Sequence, residues 1–435
     1  MPFLRKSLPV LVVLLPIFLC GNNLLLNSQS KSLNLSERTF TIDSFHYQID
    51  FGRGIDVQVT SSISEPISEI KCIFSPLGPR TVKSYCYPKI SQKDGLIVEF
   101  TIDTGVRTYY PPGTKFQVAL EAKTVSGLTL KSKPQEILYL NEKYPWRTFQ
   151  SSELPIVIHF YGIPEISLKT MVEKMSDQWL KMKTVFDLPD EINHKYRAVI
   201  YPDIKTFNQD GPLVSYTAKD RIFFGGFAFH EYDLFVLASA SPEKAIHELA
   251  HLIVGSKTNS PFSSRVPAWL DEGLAQYFET ESSALYTQML LTRYSKTPLL
   301  VLRNHNSIPG RSHEIGLFYI QSASFVGHLV EQYGLNKISN TLNLINLGNT
   351  GSDAMENVYG LSLQRLEEQW QQSLGRQFEI KSSTSNDERT ISRSGTKEIQ
   401  TKIQPQIKQP PKDNLGFIPL ILAAVIGFLV FFIVR

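Results

Sequence analysis

His247-Glu248-Leu249-Ala250-His251 and, with twenty residues separating His251 from Glu272, Trp269-Leu270-Asp271-Glu272-Gly273-Leu274-Ala275 decide how this chain is read. Two histidines four apart lie one above the other on a helix face, so both imidazoles can reach one cation, and the glutamate between them points toward a water held there. The flanks predict a helix around the first stretch. Ser241 is an N-cap, Pro242 fits the first helical position, Glu243 is an acid in the first turn, and Gly255 is a stop. Ala245, Ile246, Leu249, Ala250, Leu252, Ile253 and Val254 leave that helix almost no polar face, so it is expected to be buried between layers. Burying two imidazoles and a carboxylate without a partner costs several kcal/mol. A Zn²⁺ ion satisfies both ring nitrogens and gives the acid a task.

The second stretch is expected to supply a third ligand. Pro267 can open a helix there, and Trp269, Leu270, Leu274, Tyr277 and Phe278 give it an apolar stripe. Glu272 is the carboxylate expected on the metal. Asp271 and Glu279 are its rivals, the first turned about 100° away on the helix wheel and the second two turns further along. Gly273, unusual inside a helix, predicts that another backbone or the metal-site helix approaches closely.

With these residues in place, the chain resembles the gluzincins, specifically the peptidase MA-like domains, which pair an H-E-x-x-H helix with a W-L-x-E-G-x-A helix. The resemblance implies zinc held by His247, His251 and Glu272, Glu248 as general base for a zinc-bound water, and hydrolysis of peptide bonds in a peptide or protein substrate. It also implies an α+β zincin-like catalytic domain with thermolysin-like active-site helices. It extends over Tyr319 to Val326, Leu329 to Gly334 and Val358 to Leu363, so that it covers roughly residues 155 to 375. Two departures stand out: a long segment, Lys257 to Val266, before the second helix, and no G-A-M-E-N-like run upstream. A neutral donor near a developing oxyanion would complete such a site. Tyr319 and His313, on a helix predicted from Ser312 to Tyr333, are the candidates.

Upstream, Pro155 to Tyr161 alternates like a strand, a helix is predicted from Ile166 to Thr184, and Tyr196 to Tyr201 reads as another strand. Arg221 to Phe229 reads as a third strand. Its Gly225-Gly226 pair marks a bend at a sheet edge, the close approach of another backbone, or an edge where an extended peptide could add. The N-terminal third differs in texture. Phe45 to Phe51, Ile55 to Val59, Leu96 to Ile102 and Phe116 to Leu120 are short β-rich runs separated by turn residues at Ser75-Pro76, Lys93-Asp94-Gly95 and Pro111-Pro112-Gly113, which predicts a small all-β sandwich. Cys72 and Cys86 fall within it and are expected to form a disulfide outside the cytosol.

Both ends predict a membrane. Residues 1–30 carry Arg5 and Lys6, then an apolar stretch from Leu8 to Cys20, the layout of a signal peptide or N-terminal anchor. Leu415 to Val434 holds no charge and is long enough to cross a bilayer of about 30 Å, with Arg435 after it. The Ser-, Thr-, Lys-, Gln- and Pro-rich segment before it reads as a disordered stalk. The expected order is therefore a signal or anchor over 1–30, the β-sandwich over 37–145, the catalytic domain over 150–378, the stalk over 379–414 and a single transmembrane helix over 415–434. The catalytic domain would sit outside the cytoplasm. A formal charge of +3, with no phosphate-binding glycine loop, argues against a nucleic-acid partner. The competing reading is a surface binding or adhesion protein with a structural or inactive zinc site, against which an intact Glu248 argues.

Overall fold

The computed structural model describes residues 38–375 apart from 81, 94, 190–195, 213–224 and 281. The expected signal segment, stalk and transmembrane helix, and the first part of the expected strand Arg221 to Phe229, lie outside the described residues. Among the described residues no helix is long and apolar enough to cross a membrane.

Two sheets build the N-terminal part. One runs β1 (Arg38–Phe40), β9 (Thr129–Ser132), β8 (Thr114–Thr124), β4 (Ile67–Pro76), β5 (Ser84–Cys86), with β10 (Gln135–Tyr139) also paired to β8. The other runs β2 (Ser44–Asp50), β3 (Gly54–Ser61), β7 (Leu96–Asp103), β6 (Ile90–Gln92). Alternation explains their packing: Leu96, Val98, Phe100 and Ile102 of β7 face inward together with Phe116, Val118, Leu120 and Ala122 of β8, so both sheets share one core. Cys72 and Cys86 are register partners across β4 and β5, but both are free thiols rather than the expected disulfide.

The rest is a mixed sheet covered by helices. Its order is β11 (Arg147–Gln150), β12 (Ile156–Phe160), β13 (Tyr196–Ile200), β15 (Leu234–Leu237), β14 (Gly226–Phe229). β12, β13 and β15 are parallel, and β11 and β14 run antiparallel along the two edges. The helices are α1 (Glu165–Val185), α2 (Ile204–Asp210), α3 (Pro242–Lys257), α4 (Ala268–Thr280), α5 (Ala284–Thr292), α6 (Ser312–Tyr333), α7 (Leu335–Asn346), α8 (Gly351–Tyr359) and α9 (Leu363–Ser373). α1 connects the parallel pair β12 and β13, as a crossover must.

Local chemistry sets α3 in place. Ser241 Oγ accepts from the Lys244 backbone N–H at 3.3 Å and Pro242 occupies the first turn, as the sequence predicts. The far end differs from expectation. Gly255 does not stop the helix, which continues to Lys257; instead a Cβ there would lie 2.4 Å from the Cβ of His230. The glycine serves packing rather than termination. Gly273 of α4 answers the other glycine expectation, because a Cβ there would meet the Ser322 carbonyl oxygen of α6 at 2.6 Å; the close neighbour is α6, not the metal-site helix.

The two parts of the chain touch close to α3. Arg80 donates from Nε to Asn259 Oδ1 and from a terminal nitrogen to the Thr258 carbonyl, both at 2.6 Å. Arg197 of β13, half-buried, donates to the Leu77 carbonyl at 2.9 Å. Loop 77–80 of the sheet domain is thus fastened to the end of the helix that carries both histidines.

His159 of β12 is buried, with Nδ1 3.2 Å from Thr148 Oγ1, and burial, aided by the charges of Arg197 and Lys115, pushes its pKa down to about 4. In the unfolded chain an imidazole protonates near 6.5. Between those values the unfolded state binds more protons, so stability falls as pH drops through this window, by about 3 kcal/mol in total. Denaturant unfolding from pH 7 to pH 4 should show that loss, and His159→Gln should remove the same amount of pH dependence. Equal pH dependence in both proteins would contradict a neutral buried His159.

Candidate metal centre

α3, α4 and α6 bring the predicted residues together. His247, Glu248 and His251 project from α3, Glu272 from α4, and Tyr319 from α6. Nε2 of His247 and Nε2 of His251 are 3.3 Å apart, and Glu272 Oε2 lies 3.6 Å from the first and 3.5 Å from the second. This near-equilateral triangle matches a tetrahedral cation, whose ligands at about 2.0–2.1 Å stand about 3.3–3.5 Å from one another. Glu272 Oε2 is buried and has no hydrogen-bond partner. A buried carboxylate oxygen aimed at two ring nitrogens, and satisfied by nothing else, fits a metal ion, and among the described residues these three side chains form a group able to hold one.

The other ring nitrogens are held as well. His247 Nδ1 is 2.9 Å from Glu279 Oε2, and His251 Nδ1 is 3.0 Å from Asp271 Oδ1. Each carboxylate favours the proton on Nδ1, so that in the neutral ring, the form that would bind a cation, the Nε2 lone pair is directed into the triangle. Lys244, one turn before His247, donates from Nζ to Glu279 Oε1 at 2.9 Å and fixes that carboxylate in turn. From the sequence Asp271 and Glu279 are expected only as rivals for the metal. The turn of about 100° that takes Asp271 away from the Glu272 position carries it to the back of the His251 ring. Lys244 was not expected here, although a lysine on so apolar a helix is its signal.

The field of the cluster suits a cation. Burial works against charge on His247 and His251, yet the carboxylates beside them outweigh it and raise both pKa values, that of His251 strongly. Burial also works against charge on Glu272 and Glu279, but the imidazoles outweigh it for Glu272, and His247 with Lys244 draws Glu279 down to about 2. Glu248 is different: burial raises its pKa, as suits a group that must take up a proton. Edge strand β14 lies against Glu248, since a Cβ on Gly226 would stand 2.8 Å from Glu248 Oε1.

Tyr319 donates its hydroxyl to Glu272 Oε1 at 3.1 Å, and burial followed by the charge of Glu272 holds its pKa well above the ordinary phenol value. The tyrosine therefore steadies the third carboxylate and stays a neutral donor. His313 is not brought to this cluster; its ring is exposed at the start of α6, 3.8 Å from Glu314.

Cutting the back-side support gives a measurable result. Glu279→Gln should weaken zinc binding about 10- to 100-fold, the usual effect of losing an outer carboxylate. Chelator competition measures it, and an unchanged affinity would mean that Glu279 does not orient His247.

Residues 213–376 match the family model of the Peptidase MA superfamily, the family whose paired helices the sequence resembles. The matched span carries α3 to α9 and so both helices of the triangle, which this chain shares with a metallopeptidase family model. No curated protein matches the chain. Among solved structures, the sixth fibronectin type III domain of a human fibronectin type III domain containing protein is similar at 13% identity over 26% of this chain and 91% of that one, with a TM-score of 0.18. A polysaccharide deacetylase from Bacillus cereus is similar at 10% identity over 37% of this chain and 51% of its own, also with a TM-score of 0.18. Neither likeness carries a fold or an activity to this chain.

Proposed function

We propose that the protein is a membrane-anchored zinc metallopeptidase of the gluzincin type whose active site faces outward from the cytoplasm. The observation that carries the reading is the triangle of His247 Nε2, His251 Nε2 and Glu272 Oε2, with Glu279 hydrogen-bonded behind His247 and the Asp271 carboxylate 3.0 Å behind His251. Zinc bound by these three residues would supply Lewis-acid polarisation of a substrate carbonyl and acidify a water beside it. The chain's own residues do the rest. Glu248 accepts a proton from the attacking water at its carboxylate and delivers it to the amine nitrogen that leaves. Asp271 and Glu279 keep the imidazoles in the tautomer that binds the cation. Tyr319 is the neutral donor beside the site, and its single hydroxyl proton, held by Glu272 Oε1, would turn to the oxygen that becomes negative as the carbonyl is attacked.

The anchoring part of the proposal rests on the sequence. Leu415 to Val434 would span the bilayer, 379–414 would hold the catalytic domain away from it, and 1–30 would direct the chain outward. Two experiments test the proposal. The full chain should cleave an unstructured protein, stop on chelation and resume when zinc is returned; chelation without effect would contradict the chemistry. A protease added to intact cells should release the catalytic domain, whereas full protection of that domain would contradict the outward orientation.

A further inference from the structure

The strand Gly226-Phe227-Ala228-Phe229 alternates small and large residues. Phe227 and Phe229 pack into the cluster beside Tyr201 and Phe207, while Ala228, on the same face as Gly226, packs into the core shared with α3. The strand thus turns its small face to the helix that carries Glu248. Helix and strand-end meet too closely for ordinary side chains at two places. A Cβ on Gly226 would lie 2.8 Å from Glu248 Oε1 and 3.0 Å from its Cγ, and two turns along α3 a Cβ on Gly255 would lie 2.4 Å from the His230 Cβ, just past the end of β14. Gly225 shows the contrast. A Cβ there would make only ordinary contacts of 3.5 Å or more with the Lys244 side chain.

We propose that Gly226 is a positioning residue for the Glu248 carboxylate: the bare backbone of the edge strand forms the wall that sets where this base stands. The inference rests on the proposed role of Glu248 and adds the feature that holds it. Any side chain at 226 would meet the carboxylate itself, not a distant part of the helix. Glu248 would have to swing away, and a displacement of about 1 Å at a reacting group can cost on the order of 10²-fold in rate. His247 and His251 are turned about 100° and 60° from Glu248 on the helix wheel, and the atoms nearest a Cβ on Gly226 belong to Leu237 and Glu248, so the metal would stay.

The test compares Gly226→Ala, Gly225→Ala and Gly255→Ala in the full chain. Gly226→Ala should lower kcat on the order of 10²-fold, with KM changed less than about twofold and zinc affinity by chelator competition unaltered. Gly225→Ala and Gly255→Ala should keep kcat within about threefold, the latter with a lower melting temperature. The decisive step is a cycle with Glu248→Asp, whose shorter side chain withdraws from the strand. In that background Gly226→Ala should cost less than about threefold. Should Gly226→Ala fail to fold, Gly226→Ala/Leu237→Val, which removes the Leu237 methyl met at 2.6 Å, carries the same comparison. A crystal structure of the variant should show the Glu248 carboxylate displaced with His247 and His251 in place.

Full kcat in Gly226→Ala, an equal loss in Gly255→Ala, an undiminished loss in the Glu248→Asp background, or an unmoved carboxylate would each overturn the proposal. The structural readout keeps it separate from the hydrolase reading. Wild-type protein that holds zinc and cleaves nothing would sink the peptidase activity, while the position of Glu248 in the variant would still decide the role of Gly226.

Discussion

Glu248→Gln should lower cleavage of an unstructured protein by about two to four orders of magnitude, the span general acid-base catalysis supplies, while zinc content and unfolding midpoint stay as in the wild type. The amide has the shape of the carboxylate, so the contact with Gly226 and the surrounding packing are kept. It cannot take a proton from water or return one to a leaving amine. Stability should not fall, because the carboxylate is buried and its burial penalises the charged form. The metal should stay because Glu248 is outside the ligand triangle. Steady-state cleavage beside elemental analysis and thermal unfolding gives all three readings. Cleavage at more than about a tenth of the wild-type rate would put the base elsewhere.

The second large effect is on stability. Zinc bound to the folded triangle, with no assembled site in the unfolded chain, would add RT ln(1 + [Zn]/Kd), about 4 kcal/mol at a thousandfold excess over Kd. Chelation should therefore lower the melting temperature and abolish cleavage together, and returned zinc should restore both. His251→Ala should make the protein insensitive to either treatment, and it leaves Asp271 and Glu272 without the imidazole they face. Stranding Glu272, the more buried of the two, costs up to about 3–5 kcal/mol, so this variant should be the less stable protein even against chelated wild type. A melting temperature in the wild type that ignores both chelator and zinc would contradict a metal-linked fold.

The parts of this molecule that were legible in the sequence are those where one local signal suffices. Ser241-Pro242 marks the start of α3, the apolar spacing from Ser312 to Tyr333 gives α6 its full length, and the alternation from Pro155 to Tyr161 contains β12. Leu234 to Leu237 escaped because β15 is buried on both faces, and such a strand shows no alternation. Gly255 read as a helix stop because a glycine that permits close packing and one that ends a helix look the same in one dimension. The ligand triangle follows from two helical spacings, whereas the roles of Asp271, Glu279 and Lys244 depend on how α3 and α4 cross, which no spacing within one helix encodes. Cys72 and Cys86 were paired correctly in space, since β4 and β5 set them opposite each other, but their chemical state is not a matter of spacing.

His247, His251 and Glu272 are expected to hold one zinc ion, and the metal content of the purified protein reads this out. Elemental analysis should find one zinc per chain in the wild type and none in a folded His247→Ala/His251→Ala protein. A well-folded wild type without zinc, even after equilibration with the metal, would mean that these three residues are not a zinc site.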